Sequence, residues 1–298
     1  MPLESVIDPR EPFLDYLLLD VFTDTPFQGN PLAVFPEAGA LGTSAMQRIA
    51  RELNLSETVF IAATPMPGIF DLRIFTPHQE LAFAGHPTIG AAWLLREIGW
   101  HDDQLPLKLQ VPAGEVPIRF DGAHAWLSTP NPLSIEPSPL SRASAAHLLG
   151  LSVEAVIADP VVGFACGSPF HLIALTSIEA LTDVRVRPSQ LSEALGGEHG
   201  VNVYMYVEEG DHSVRARKLC ITDQVTEDPA TGSAAAPLAG HLALQSSETG
   251  TLEYTIVQGI EMGRPSRIGV LVDKSGEAVT AIHVGGMAVV IGEGRLRL

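Results

Sequence analysis

The sequence predicts a mixed α and β fold made of two similar halves that face each other across a cleft. Its 298 residues suit two domains of roughly 150 residues each, or one large one. With 27 Gly and 23 Pro spread along the chain, many short strands separated by turns are expected rather than long helices. The halves show in a short internal match. A shift of 142 residues lays His86-Pro87 on Asp228-Pro229, Gly90 on Gly232 and Ala92 on Ala234. Each of these helical stretches follows a strand carrying an arginine (Arg73, Arg217) and then a loop carrying an acid (Glu80, Glu227). The boundary falls in the proline-rich STPNPLSIEPSP, residues 128–139, giving halves 1–127 and 128–298, with the last strand placed to pack back on the first half.

The elements follow in order. FLDYLLLDVFTD (13–24) reads as a first strand, PFQGNP as a turn and PLAVF (31–35) as a second strand. Ser44 with Gln47 three residues on fits a capping box before MQRIAREL, whose apolar residues have helical spacing. ETVFIAA and FDLRIFTP are strands, so Glu57 stands at a helix-to-strand junction. HPTIGAAWLLREIG is a helix opened by Pro87 and stopped at Gly99. LKLQVPAGEVPIRFDGAHAWLSTP reads as successive antiparallel strands. In the second half, SRASAAHLLGL and RPSQLSEALGG are helical, while HLIALTS, VNVYMYVEE and SVRARKLCIT are strands. DPATGSAAAPLAGHLALQ is a small-residue helix with Asp228 and Pro229 at its start, and LEYTIVQG, SRIGVLVD and AVTAIHVGGMAVVIGEGRL return to strand.

Composition excludes several classes. Apolar residues make up 46% and charged ones 18%, a globular balance. A net charge of −17 with only three lysines argues against nucleic acid and against an anionic membrane surface. Two cysteines, Cys166 and Cys220, make neither a disulfide framework nor a CxxC site. The first residues, MPLESVIDPREPF, lack the basic start and apolar stretch of a signal peptide, and no apolar run is long enough to span a bilayer. A soluble cytoplasmic protein is expected.

The chemistry-bearing residues are few. Gly85-His86 and Gly232-Ser233 lie at or near helix starts, where unpaired N–H groups hold carboxylates or phosphates, although proline and small residues also simply start helices well. His86 suits a hydrogen-bond donor, a proton carrier or a cap. Asp228 is open to the same ambiguity, since Asp is a good N-cap. Glu57 has no Lys or Arg within five residues on either side, so burial at the strand edge would raise its pKa and make it a usable acid/base, while the alternative is an exposed strand end. Asn30, in GNP, is turn punctuation or a side chain reaching the cleft. The histidines show no metal-ligand spacing, no nucleotide fingerprint follows a strand, and FACGSP is not a nucleophile elbow.

DVFTDTPFQGNPLAVF, MQRIARELNLSETVFI, IFTPHQELAFAGHPTIGAAW, EDPATGSAAAPLAGHL, GRPSRI and HVGGMAVVIGEGRL, in this order, resemble the PhzF family of phenazine-biosynthesis isomerases. The resemblance runs from about residue 15 to 298. It implies an α+β, diaminopimelate epimerase-like fold: two pseudo-symmetric halves, each a curled, mostly antiparallel sheet around a central helix. It further implies a homodimer, a small cyclic or amino-acid-like carboxylate as substrate, such as a dihydro-hydroxyanthranilate, and no cofactor or metal. By the same resemblance Glu57 is the acid/base, and His86 and Asp228 contact substrate. Ser56, Gly85, Gly232 and Ser233 surround the substrate carboxylate, and Asn30 lies near the cleft. The same fold also serves two-thiol racemases, but neither cysteine stands at a helix start. A non-catalytic binding protein, or a lyase or epimerase using the same glutamate, are the alternatives. Ala82 and Thr222 stand where relatives commonly have proline, which bears on the substrate more than on the catalytic scheme.

Overall fold

A computed structural model describes residues 13–186, 200–222 and 224–298. The helix expected over RPSQLSEALGG (187–197) lies outside the described residues. The first half contains β1 (Phe13–Val21), β2 (Asn30–Phe35), α1 (Thr43–Leu53), β3 (Glu57–Ala63), β4 (Ile69–Phe75), β5 (Glu80–Leu81), α2 (Gly85–Glu97), β6 (Leu107–Val111), β7 (Gly114–Asp121) and β8 (His124–Ser128). There follow β9 (Ser134–Pro137), α3 (Arg142–Leu149), β10 (Val161–Phe164), β11 (Phe170–Ala174), α4 (Ile178–Thr182), β12 (Val201–Gly210), β13 (Ser213–Ile221) and β14 (Val225–Asp228). The chain ends with α5 (Gly232–Gln245), β15 (Gly250–Gln258), β16 (Ser266–Ser275), β17 (Ala278–Gly286) and β18 (Ala288–Arg297).

Strand pairing repeats. β1 runs antiparallel to β2, β2 parallel to β3, and β3 antiparallel to β4. β4 then takes β5 antiparallel and β6 parallel, and β6, β7 and β8 continue as a meander. β10 to β17 repeat that succession pair for pair. β8 pairs with β17 and joins the two curled sheets edge to edge. β9 pairs with β10 within the second half, and β18 returns from the end of the chain to pair with β1 in the first half.

Each sheet curls around one helix. α2 and α5 are buried on nearly all sides, as a helix threaded through a sheet must be, and so they are apolar or small all round rather than striped. Close approach sets the residue size. A Cβ on Gly90 would stand 2.6 Å from Leu32 Cδ2, and one on Gly240 would stand 2.7 Å from Leu133 Cδ2. α1 has a genuine apolar face and packs Met46, Ile49 and Ala50 on the outer side of the first sheet, with Phe35, Phe60 and Phe75. α3 and α4 cover the outer side of the second.

Two local expectations are corrected. No capping box opens α1: Gly42 is the N-cap without a side-chain bond, and Gln47 instead donates to the Thr76 carbonyl at 2.9 Å. Asp228 does not cap α5; it ends β14, and Thr231 occupies the N-cap position. The repeat also has a different register. Phe75 opposes Glu80 as Leu219 opposes Glu227, and Gly85 and Gly232 each begin a helix five residues later. The offset at the helices is therefore 147 residues, which matches His86 to Ser233 and Asp228 to Leu81.

Candidate active site

The two acids flagged by the repeat fix the approaches to the helix starts. Arg73 grips Glu80 in a two-pronged bond, 2.7 Å from each nitrogen, and Arg217 grips Glu227 at 2.8 and 2.9 Å. These forks hold β5 and β14 against β4 and β13, so the turns after them deliver the first residues of α2 and α5 to one place. A Cβ on Gly85 would lie 3.9 Å from the Ser233 backbone nitrogen. The two helix N-termini thus face each other, each with unpaired N–H groups and partial positive charge.

Asn30 is delivered from the other side. The turn before it is pinned by Arg264, which bonds the Gly29 and Gln28 carbonyls at 2.8 Å and pairs with the fully buried Asp20. Asp20 also accepts from the Phe27 amide at 2.6 Å. Phe22, Phe27 and Gly29 all take the left-handed backbone conformation, which only strong anchoring sustains at two phenylalanines. Asn30, itself fully buried, donates to Asp228 Oδ1 at 2.8 Å and to the Ala230 carbonyl at 3.0 Å, tying the first half to the second.

Glu57 begins β3 just after α1 ends in a left-handed Asn54. Its Oε2 lies 3.4 Å from His86 Nε2, close enough for an ion pair yet not aligned as a hydrogen bond, so both atoms remain buried without a hydrogen-bond partner. Asn30 Oδ1 and Thr58 Oγ1 are in the same condition. Thr58 leaves β3 on the opposite face, with Phe60, so three such atoms, on Asn30, Glu57 and His86, share one neighbourhood. Such a group is unusual, because a buried polar group without a partner costs about 1–3 kcal/mol.

Burial sets the proton affinities here. The Glu57 carboxyl is pushed up to about 8, first by burial and then by the negative charge of Asp228, with Lys218 pulling the other way. Burial holds His86 down to about 3, so at neutral pH it is an uncharged hydrogen-bonding group. Its Nδ1 faces the Asn30 amide nitrogen at 3.5 Å, an approach that fits the tautomer with its proton on Nε2, the nitrogen facing Glu57. Asp228 is raised by burial and lowered by Lys218, by the Thr231 hydroxyl at 2.5 Å and by Asn30. Gln258 completes this wall, donating to the Asp228 carbonyl at 2.7 Å and accepting from the buried Tyr204 hydroxyl at 2.8 Å.

The structure therefore brings Asn30, Glu57, His86, Asp228, Gly85, Gly232 and Ser233 to one neighbourhood. Ser56 is exposed just before β3 and is outside the buried cluster. Sequence reasoning missed Lys218 and Gln258. Lys218 had a usable signal, as one of only three lysines in an acidic chain. Cys166 comes nearer than its position in the chain implied, since a Cβ on neighbouring Gly167 would stand 3.4 Å from Ser233 Cβ. Burial pushes its thiol to about 12, far from a usable thiolate. The structure also assembles a Ser–His–Asp set that sequence did not reveal: Ser128 Oγ is 2.8 Å from His283 Nδ1, and His283 Nε2 is 3.2 Å from Asp273. The amide that follows Ser128 is bound in the strand ladder, to the Ile282 carbonyl, so it offers no oxyanion donor. Among the described residues no group of three His, Cys, Asp or Glu side chains could hold a metal ion, and no helix is long and apolar enough to cross a membrane.

Known proteins share this sequence and architecture. A family model described as phenazine biosynthesis-like protein, PhzC-PhzF, matches residues 19–294. An uncharacterized isomerase of Pasteurella multocida is 40% identical over 286 residues, covering 94% of this chain and 93% of its own length. The trans-2,3-dihydro-3-hydroxyanthranilate isomerase of Pseudomonas aeruginosa is 36% identical over 286 residues, 95% of this chain and 99% of that one. The crystal structure of a Bacillus anthracis phenazine biosynthesis protein of the PhzF family superposes with a TM-score of 0.83 at 23% identity, over 96% of this chain and 100% of that one, a likeness of fold. The chain belongs to the PhzC-PhzF family of phenazine biosynthesis-like proteins and is an isomerase of that family.

Proposed function

We propose that this isomerase moves a proton between two carbons of a small cyclic or amino-acid-like carboxylate, with Glu57 as the acid/base and a dihydro-hydroxyanthranilate as the model substrate. One observation carries the reading: a buried carboxyl raised to about 8, its Oε2 without a hydrogen-bond partner, beside a neutral histidine. A carboxylate poised so close to neutrality removes a carbon-bound proton far better than one at its ordinary value. At pH 7 about a tenth of such groups are ionised.

The ionised Glu57 takes a proton from an allylic or α carbon, and the electron pair left behind delocalises toward the substrate's unsaturation. Glu57 then returns the proton to another carbon on the same face, so atoms and charge balance and the enzyme is regenerated. The facing helix starts at Gly85 and Gly232–Ser233 hold the substrate carboxylate through backbone N–H groups. The His86 Nε2–H and Asp228 hold ring amino or hydroxyl substituents. Donors fixed before the reaction stabilise the developing charge without reorganising. The 36% identity to an enzyme named for trans-2,3-dihydro-3-hydroxyanthranilate supports that substrate class.

The test is conversion of trans-2,3-dihydro-3-hydroxyanthranilate followed by liquid chromatography, with wild type beside Glu57→Gln. Conversion by wild type and a loss of at least a hundredfold in the variant is expected. Conversion at equal rates by both proteins would remove Glu57 from the reaction.

A further inference from the structure

Resting on the reading of this site as one that takes a small carboxylate, we propose that Lys218 is the residue that makes it prefer an anionic substrate. Lys218 lies in β13, where side chains alternate between two cores. Val214 and Ala216 point inward to the core around α5, while Leu219 and Ile221 point outward to the core under α3 and α4. Lys218 shares the inward side. The matching inward position on β4, by the pairing register of the two halves, is Ile74, which is fully buried in the core. One half thus places an aliphatic residue where the other places an ammonium.

Register fixes what that ammonium faces. Lys218 is directly opposite Asp228 across the β13–β14 ladder, so both side chains leave the sheet on the same side. The positive charge reaches Glu57 as well, lowering the proton affinity of both acids. The other two lysines have different duties. Lys108 pairs with Glu115 at 2.7 Å, and Lys274 binds the Ala243 and Ser246 carbonyls at the end of α5.

Charge balance then decides the role. With Glu57 ionised, as proton removal requires, a substrate carboxylate enters a site that already holds that charge and the Asp228 carboxyl, with an uncharged His86 to offset neither. The two helix starts contribute only partial positive charge. Among the described residues, Lys218 supplies the full positive charge that acts on both acids, and it offsets the repulsion that an anion would meet.

The test compares anthranilate and anthranilamide, two unreactive rings that differ in the charge of one substituent, by isothermal titration calorimetry against wild type, Lys218→Met and Lys218→Arg. The expected result is a wild-type preference for anthranilate. In Lys218→Met that preference falls tenfold or more while anthranilamide binding is unchanged, and Lys218→Arg restores most of it. With turnover substrate above about pH 9, where Glu57 is ionised in wild type, Lys218→Met raises KM about tenfold and leaves limiting kcat within about threefold, while the midpoint of its pH profile moves up. Thermal melting checks that each variant folds. A folded Lys218→Met that keeps the wild-type preference would overturn the proposal, as would a fall in kcat at unchanged KM. Wild type that binds neither ring more tightly as the carboxylate would overturn the carboxylate reading of the site itself.

Discussion

Replacing Glu57 by Gln should make the protein more stable at alkaline pH while abolishing its chemistry. The unfolded chain ionises this carboxyl near 4.5, whereas the folded protein holds it protonated to about 8. Between those values the folded state binds the extra proton. Stability from this group is therefore full below about pH 4.5, falls as pH rises and is lost above about 8. A gap of that size corresponds to at most about 5 kcal/mol, since each pKa unit is worth about 1.4 kcal/mol. Glu57 is 18% exposed, so solvent screening removes little of it. Gln cannot ionise and escapes the penalty. For a chain of this length, about 5 kcal/mol is a melting-point difference of about 8 °C. The assay is thermal unfolding of wild type and Glu57→Gln by circular dichroism at about pH 5 and about pH 9. His86 titrates identically in both proteins at the acid end and cancels. A variant advantage that is small at the lower pH and several degrees at the higher one is expected. Equal differences at both pH values would refute the assignment of a raised Glu57.

The catalytic rate should follow the same ionisation. kcat/KM is expected to rise with pH through a midpoint of about 8, with no limb from His86 between about 5 and 8 because burial holds it to about 3; a profile already flat above pH 6 would contradict this. The two arginine forks should differ in worth. Arg217 is 8% exposed, and Arg217→Met is expected to cost about 3–5 kcal/mol by stranding Glu227. Arg73 is more open, and Arg73→Met should cost only about 1 kcal/mol, both read from urea unfolding. Gly90→Ala should cost about 1–3 kcal/mol, because its methyl meets Leu32 and Val21 inside the first half, and calorimetric melting checks it.

Much of the fold was legible because the strands carry strong alternation and the central helices carry unmistakable small or apolar runs. What sequence could not show is where side chains turn once the chain is packed. Ser44 and Gln47 have capping-box spacing, but a nearby carbonyl at Thr76 takes the Gln47 amide instead. Asp228 resembles an N-cap because it precedes a helix; a short strand bonded to β13 displaces the true start to Gly232. The same strand is why the 142-residue offset, chosen on Pro and Gly, misses the register that the paired arginines and acids impose. Glu57, His86, Asp228 and Asn30 meet only through contacts between residues up to 198 positions apart. Short motifs named them, but only the fold shows that they share one place. Lys218 was passed over since a lysine in a strand reads as a solvated face, and its inward direction depends on register. Thr222, standing where proline is common, accepts from the Gln224 amide at 3.2 Å and makes the turn by hydrogen bonding.

The central claim is that Glu57 carries a proton from one carbon to another. Mass spectrometry after turnover in D₂O tests it most directly, using trans-2,3-dihydro-3-hydroxyanthranilate with wild type and Glu57→Gln side by side. Wild type should leave deuterium on a carbon of the product or of recovered substrate, and the variant should leave none. Isomerised product formed at the wild-type rate by Glu57→Gln, with the same label, would show that another group moves the proton.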